Sequence, residues 1–182
     1  MDSTMKSSHR IGLWVAFIGF MIGVWLAPSG TPAHAGKTTT VEATVILSGP
    51  PATMLPAGDD KAHLVGLGQR TGKAVLSDGR KAEYSNVFFM DLYRGKGVSV
   101  WGYSKMLFQD GSWLFIKWDS EFAGRDKAGN PIMQGTGTIS KGTGQYEGIK
   151  GTAKFNNRQL PPGKEYPKGA RQAKALLTYT LP

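Results

Sequence analysis

Cysteine is absent from this 182-residue chain. That excludes disulfide staples, thiolate metal sites and a cysteine nucleophile. Histidine is nearly absent: of three in the chain, His9 and His34 fall in the first 35 positions and only His63 lies beyond. A hydrolytic triad needs a nucleophile, a histidine and an orienting acid held together, and no Gly-x-Ser-x-Gly accompanies His63. A resident metal would have one imidazole and carboxylates only, so neither metal nor cofactor is expected. Basic residues never occur five in a row and build no basic helix, so nucleic acid is not an expected partner. Helical periodicity is missing beyond residue 35, which excludes a helical fold.

What is present begins with a leader pattern. Lys6, His9 and Arg10 give a basic start, and Ile11 to Ala27 is an apolar run of 17 residues. Pro28, Ser29 and Gly30 break it, and Ala33-His34-Ala35 supplies the small-x-small pattern that signal peptidase accepts. The pattern predicts a signal peptide over residues 1–35, cleavage after Ala35 and an exported protein, periplasmic or secreted. A retained N-terminal membrane anchor is the alternative, since 17 residues sit at the short edge of what crosses ~30 Å of hydrocarbon. The mature chain, Gly36 to Pro182, is 147 of the 182 residues and is expected to fold as one domain. Removing Lys6, Arg10 and Asp2 from the 22 basic and 13 acidic side chains leaves 20 and 12, a net charge of about +8. Such a charge favours anionic surfaces. Lys164, Lys168, Arg171 and Lys174 are its densest grouping, and their Pro- and Gly-containing surroundings read as a solvated loop.

Strand signals fill the mature chain. Thr38 to Leu47 alternates apolar and polar residues, and Gly49-Pro50-Pro51 ends it, before a polar loop through Pro56, Gly58, Asp59 and Asp60. His63 to Leu67 and Lys73 to Leu76 are short candidates parted by Gly68 and Gly72, and Glu83 to Leu92 is longer. Val98 to Phe108 and Ser112 to Phe122 flank Asp110-Gly111, a hairpin signal. Read as a two-residue loop, it puts Trp101, Tyr103, Lys105 and Leu107 on one face with Leu114, Ile116, Trp118 and Ser120, and that face is expected inside. Trp113 and Phe115 then gather near the turn as a cap or a small exposed patch. Met133 to Ser140 and Ile149 to Phe155 enclose the corner Gly142 to Gly148, and Ala175 to Leu181 is the last strand. The glycine corner lacks the helix and the GK[ST] ending of a phosphate loop, so it reads as a strand–turn–strand corner. Seven or eight strands joined by short turns imply an all-β fold: a single antiparallel, roughly eight-stranded, lipocalin-like barrel.

The hairpin around Phe108-Gln109-Asp110-Gly111, the run Gly137-Thr138-Ile139-Ser140, the corner Gly142-Thr143-Gly144-Gln145-Tyr146-Glu147-Gly148 and the tail Leu177-Thr178-Tyr179-Thr180-Leu181 resemble the allene oxide cyclase-type barrel. The resemblance spans roughly Tyr84 to Leu181. It implies a barrel whose cavity binds an unstable fatty-acid epoxide, with a carboxylate on the first strand and a cysteine in the cavity. Glu42 is the nearest first-strand carboxylate, with no shared motif around it, and the cysteine has no counterpart here. Bacterial barrels of this kind include cyclases of polyketide precursors and exported proteins without an assigned activity.

Trp101, Tyr103, Trp118 and Phe122 are the candidates for lining a ligand cavity, although an eight-stranded barrel can equally be filled solid. Glu42 and Glu121 are the candidate lumen carboxylates. Asp119 and Glu121, ~7 Å apart along one face, otherwise read as a solvated charge ladder. The expected function is an exported binding or structural module for a small apolar or amphipathic ligand. Two alternatives accompany it: a cofactor-independent cyclase or isomerase acting on a lipid-like or polyketide-like substrate in the lumen, and association with anionic membrane or polymer surfaces.

Overall fold

Long runs of period-two alternation need a surface on which every second side chain can be buried. In the computed structural model, which describes residues 36–182, nine antiparallel strands provide that surface. They are β1 (Thr38–Ser48), β2 (Thr53–Pro56), β3 (His63–Leu76), β4 (Lys81–Tyr93), β5 (Gly97–Phe108), β6 (Trp113–Arg125), β7 (Pro131–Thr143), β8 (Lys150–Gln159) and β9 (Arg171–Thr180). A 3-10 turn over Gly144–Tyr146 interrupts the β7–β8 connection. The expected signal peptide, its cleavage point and the alternative anchor lie outside the described residues.

β1 closes the barrel. One of its edges pairs with β9 from Thr38↔Thr180 to Leu47↔Arg171, and the other pairs with β3 from Ala43↔Leu76 to Ser48↔Thr71. β3 through β9 follow as successive antiparallel neighbours, so eight strands form a closed barrel. β2 is the extra strand, carried on β3 from Thr53↔Leu67 to Pro56↔Leu64, beyond the point where β1 has ended. This is the all-β barrel expected from the sequence.

Three local readings change. The segments expected as two short strands, His63 to Leu67 and Lys73 to Leu76, are one strand of 14 residues. Its glycines are needed for packing: a Cβ at Gly68 would lie 2.3 Å from the Phe88 ring. The polar loop before His63 contains the short strand β2. The third change is the hairpin register. The loop has three residues, Gln109-Asp110-Gly111, with Gly111 N–H donating to the Phe108 carbonyl at 3.1 Å and Phe108 N–H to the Ser112 carbonyl at 2.9 Å. Gly111 takes the left-handed φ of +81° that a type I turn followed by a bulge requires. Leu107 therefore pairs with Trp113 and Val100 with Ser120, one residue away from the two-residue reading. In a period-two structure that shift turns β5 inside out while leaving β6 as expected.

The glycine corner seals one end of the barrel. The 3-10 turn drives Tyr146 inward until it is 1% exposed. Its ring packs on Phe108 (4.8 Å between centroids) and edge-on against Tyr179 (6.3 Å). Arg80 lies over Phe108 and Tyr146, at 5.7 and 5.6 Å from the ring centroids. It donates to the Tyr146 and Tyr179 hydroxyls and forks onto Asp78. The Asp78 hydrogen bonds hold the Arg80 guanidinium above its ordinary pKa, and burial pushes the Tyr146 phenol up to about 12. Leu114, Ile139 and Ile149, each 1% exposed, complete this floor.

Removing the floor ring and removing an outer-wall ring test the facing directly. Tyr146→Ala is expected to cost about 3–5 kcal/mol in urea unfolding, and Trp101→Ala about 1 kcal/mol or less. The reverse order would contradict the register.

Candidate functional site

Opposite the sealed floor, the lumen stays open as a cavity of about 260 Å³. Its walls are mainly apolar, with Phe88, Met106, Ile116, Trp118, Met133 and Phe155 among them. Leu92, Val98 and Pro131 also line it, which places its mouth at the end carrying the β4–β5 turn and the β6–β7 loop. The cavity joins the two buried apolar clusters: one around Val45, Met106, Ile116 and Leu177, the other of Phe88, Val100 and Met133.

Polar groups enter this lining at few points. Midway, the buried Ser104 hydroxyl accepts the Trp118 indole N–H at 2.8 Å and lies 2.6 Å from the Tyr84 hydroxyl. Burial raises the Tyr84 phenol, so it stays neutral and able to donate. Asn86, paired across from Arg70, keeps its Oδ1 buried without a donor. At the mouth stand Arg70 and Arg171. Arg70 lies over the Phe88 ring at 4.7 Å, and Arg171 Nε donates to Asn157 Oδ1 at 2.6 Å. Arg70 Nε and Arg171 Nη2 are buried with no acceptor. Among the described residues, no carboxylate lines the cavity. Burial lowers the Arg70 guanidinium below its ordinary value, and burial followed by the charge on Arg70 pushes Arg171 down to about 10. A guanidinium remains protonated at neutral pH even so. Both shifts reflect half-buried positive charges that have no ion-pair partner among the described residues.

Of the residues singled out from the sequence, Trp118 lines the lumen. Trp101 and Tyr103 do not: the register of the β5–β6 hairpin puts both on the outer wall, 42% and 41% exposed. There they stack on Phe89 (5.8 Å) and Phe115 (5.6 Å). Phe122 shares the parity of Trp118 and Ser120 but sits beside the bulge at Ala123, at the rim, 43% exposed with Arg125 at 5.9 Å. Glu42 and Glu121 face outward and are not lumen carboxylates. They line instead a broad open depression of about 800 Å³ on the outer wall, together with Asp119, Lys154 and Lys174. Although larger than the lumen, it is open to water, where polar contacts and ion pairs contribute little.

Arg70 and Arg171 were missed by sequence reasoning, and parity was the signal that would have found them. Arg70 alternates with Gly68, Gly72 and Ala74, and Arg171 with Ala173, Ala175 and Leu177, all on the inner face.

His63 also acquires a defined setting. Its Nδ1 meets Asp59 at 2.6 Å, its Nε2 meets Asp91 at 2.9 Å, and its ring stacks on Tyr93 at 4.2 Å. With a carboxylate on each nitrogen, no lone pair is left for general base catalysis. Burial lowers the imidazole pKa, but Asp59 and Asp91 outweigh it and hold the group above its ordinary 6.5. The Tyr93 hydroxyl and then His63 hold Asp59 below its ordinary 3.8, against the opposing effect of burial. Among the described residues, no three His, Cys, Asp or Glu gather as a metal site.

The site thus belongs to a closed antiparallel β-barrel with a small, mostly apolar internal cavity. No protein-family model matches the sequence, and no curated protein matches it. Among solved structures, the pterocarpan synthase dirigent protein PsPTS1 is similar, with 15% identity, a TM-score of 0.47, and coverage of 80% of this chain and 96% of that one. The pterocarpan synthase dirigent protein GePTS1 is similar too, with 15% identity, a TM-score of 0.46, and coverage of 81% and 93%. A likeness at this level carries no argument. The strand pairing itself shows the barrel, and the resemblance expected from sequence stands for that barrel alone, without the allene oxide cyclase assignment.

The His63 clasp predicts a pH dependence for the β2–β3 loop. A raised histidine pKa contributes stability that is complete below 6.5 and lost as pH rises through the folded value. A lowered Asp59 pKa contributes stability present above 3.8 and lost as pH falls through its folded value. Hydrogen-exchange protection of the Ala57 and Arg94 amides, which bond to the His63 and Ala62 carbonyls, is expected to be higher at mildly acidic pH than in alkali. His63→Gln should abolish the difference.

Proposed function

We propose that this protein is a binding barrel that holds one small, largely apolar molecule in its lumen. The observation that carries this reading is the asymmetry of the interior: a floor sealed by Tyr146, Phe108 and Tyr179, and above it an apolar cavity of about 260 Å³. Apolar pockets with a few convergent polar groups are the usual form of small-molecule sites. A cavity of this size suits a compact ring system or short chain. The leader pattern of residues 1–35 supports placing this barrel outside the cytoplasm.

The cyclase alternative needs a proton-transfer group at the bound substrate. Glu42 and Glu121 face away from the lumen, and its lining holds neither carboxylate nor histidine. Tyr84, kept neutral by burial, is the proton donor such chemistry would have to use. The lumen therefore favours binding over acid–base turnover.

N-phenyl-1-naphthylamine, an uncharged probe that fluoresces in apolar surroundings, tests the reading. The mature chain is expected to bind it saturably with one site. Ala173→Phe, which fills the lumen from β9, should reduce binding at least about tenfold at a cost of about 1–3 kcal/mol in stability. Equal binding by a folded Ala173→Phe variant would place the probe on the outer wall and reject the lumen.

The outer wall supports a second reading, association with anionic membranes. Phe89, Trp101, Tyr103 and Leu107 are each at least 37% exposed, and Lys105 lies 5.2 Å over the Trp113 ring. Exposed apolar surface beside positive charge is what an anionic bilayer surface binds. The mature chain is expected to sediment with phosphatidylserine vesicles at low salt and to be released by ~1 M salt, where screening length falls to ~3 Å. Failure to sediment at low salt rejects it.

A further inference from the structure

Arg70 and Arg171 are brought together by strand pairing. Leu47, one residue from the end of β1, pairs with Arg171 on one side and with Gly72 on the other. Arg70 is two residues before Gly72 on β3, on the same inward face, at the level where Gly49 packs against its backbone and Pro50-Pro51 ends the ladder. Both side chains therefore flank the end of β1 and line the cavity. The ion pairs found among the described residues join His63 to Asp59 and Asp91, Lys73 to Glu83, and Arg80 to Asp78, and none involves either arginine.

Two half-buried guanidiniums, each with one buried nitrogen that has no acceptor among the described residues, form an unfinished arrangement. An uncompensated buried charge is costly, and an acceptor of opposite charge would remove the cost. Arginine forks match the planar oxygen pair of a carboxylate, which can accept from both at once. Asn157 steadies one fork through Arg171 Nε, and the Phe88 face supports the other. Behind them the wall is mainly apolar as far as Trp118 and Ile116, with Asn86, Tyr84 and Ser104 as its polar points.

We propose that the lumen ligand is a compact organic acid whose carboxylate sits between Arg70 and Arg171 and whose apolar body fills the cavity behind them. This rests on the lumen-binding reading and adds the head group to it. No bond is made or broken; the acid enters ionised, and its charge is neutralised by the pair. The free barrel carries two unbalanced charges until the acid arrives, so the arginines serve binding at the expense of stability.

The test compares 2-naphthoate with its uncharged isostere 2-naphthamide by calorimetric titration of the mature chain. The acid is expected to bind at least about tenfold more tightly, the size of one charge-assisted hydrogen bond. In Arg70→Gln and Arg171→Gln this preference should collapse. Thermal unfolding separates the role from a structural one: without ligand, Arg171→Gln should melt no lower than the parent, and 2-naphthoate should raise the melting temperature of the parent only. Equal binding of acid and amide by the parent overturns the head-group assignment while leaving lumen binding intact. Binding of neither probe, here and with the uncharged amine, rejects both readings. A variant that melts lower and loses both ligands alike makes the arginine structural and overturns the proposal.

Discussion

The barrel closes through β1, and β1 is shorter than the strand it must cover. Its 11 residues pair along almost their whole length with β9, but they reach only the C-terminal part of the 14-residue β3. Gly49-Pro50-Pro51 then ends pairing, since proline has no N–H to give to a ladder. β2 takes over the remaining edge of β3 farther out. The result is a seam that β1 closes at the floor and β2 continues along β3 toward the mouth. The extra strand follows from this stagger between β1 and β3.

The two ends treat the same side chain in opposite ways. At the floor, Arg80 is fully engaged: Asp78 balances its charge, two tyrosine hydroxyls accept from it, and two aromatic faces lie beneath it. At the mouth, Arg70 and Arg171 have an aromatic face and one asparagine between them, and no carboxylate. Burial lowers both guanidiniums at the mouth, whereas Asp78 raises the one at the floor. A charge that serves packing is paired within the fold. Unpaired charges beside an open apolar cavity fit a role that a ligand completes.

Much of this was legible in the sequence. Alternation located the long strands, and the glycine corner was recognisable as a turn because no helix follows it. That corner proved to do more, since its 3-10 turn inserts Tyr146 as the floor. The site was harder to read. Asp110-Gly111 resembles a two-residue turn, but the hydrogen bonds close around Gln109 as well, and one residue of register exchanged Trp101 and Tyr103 for Gly102 and Ser104 on the inner face. Trp118 kept its facing because β6 counts from the other side of the loop. Arg171 was hidden in a segment that looks like a basic surface loop, and Arg70 between glycines that looked like a break. Composition suggested solvent for both, whereas strand parity puts them inside.

The most direct measurement is a crystal structure of residues 36–182 with 6-bromo-2-naphthoate, read by the anomalous signal of bromine. The signal is expected deep in the lumen, near Trp118 and Ile116, with the carboxylate density between Arg70 and Arg171. Bromine in the depression beside Glu42 and Lys174, or a lumen that remains without ligand density while the outer wall is occupied, would contradict the account.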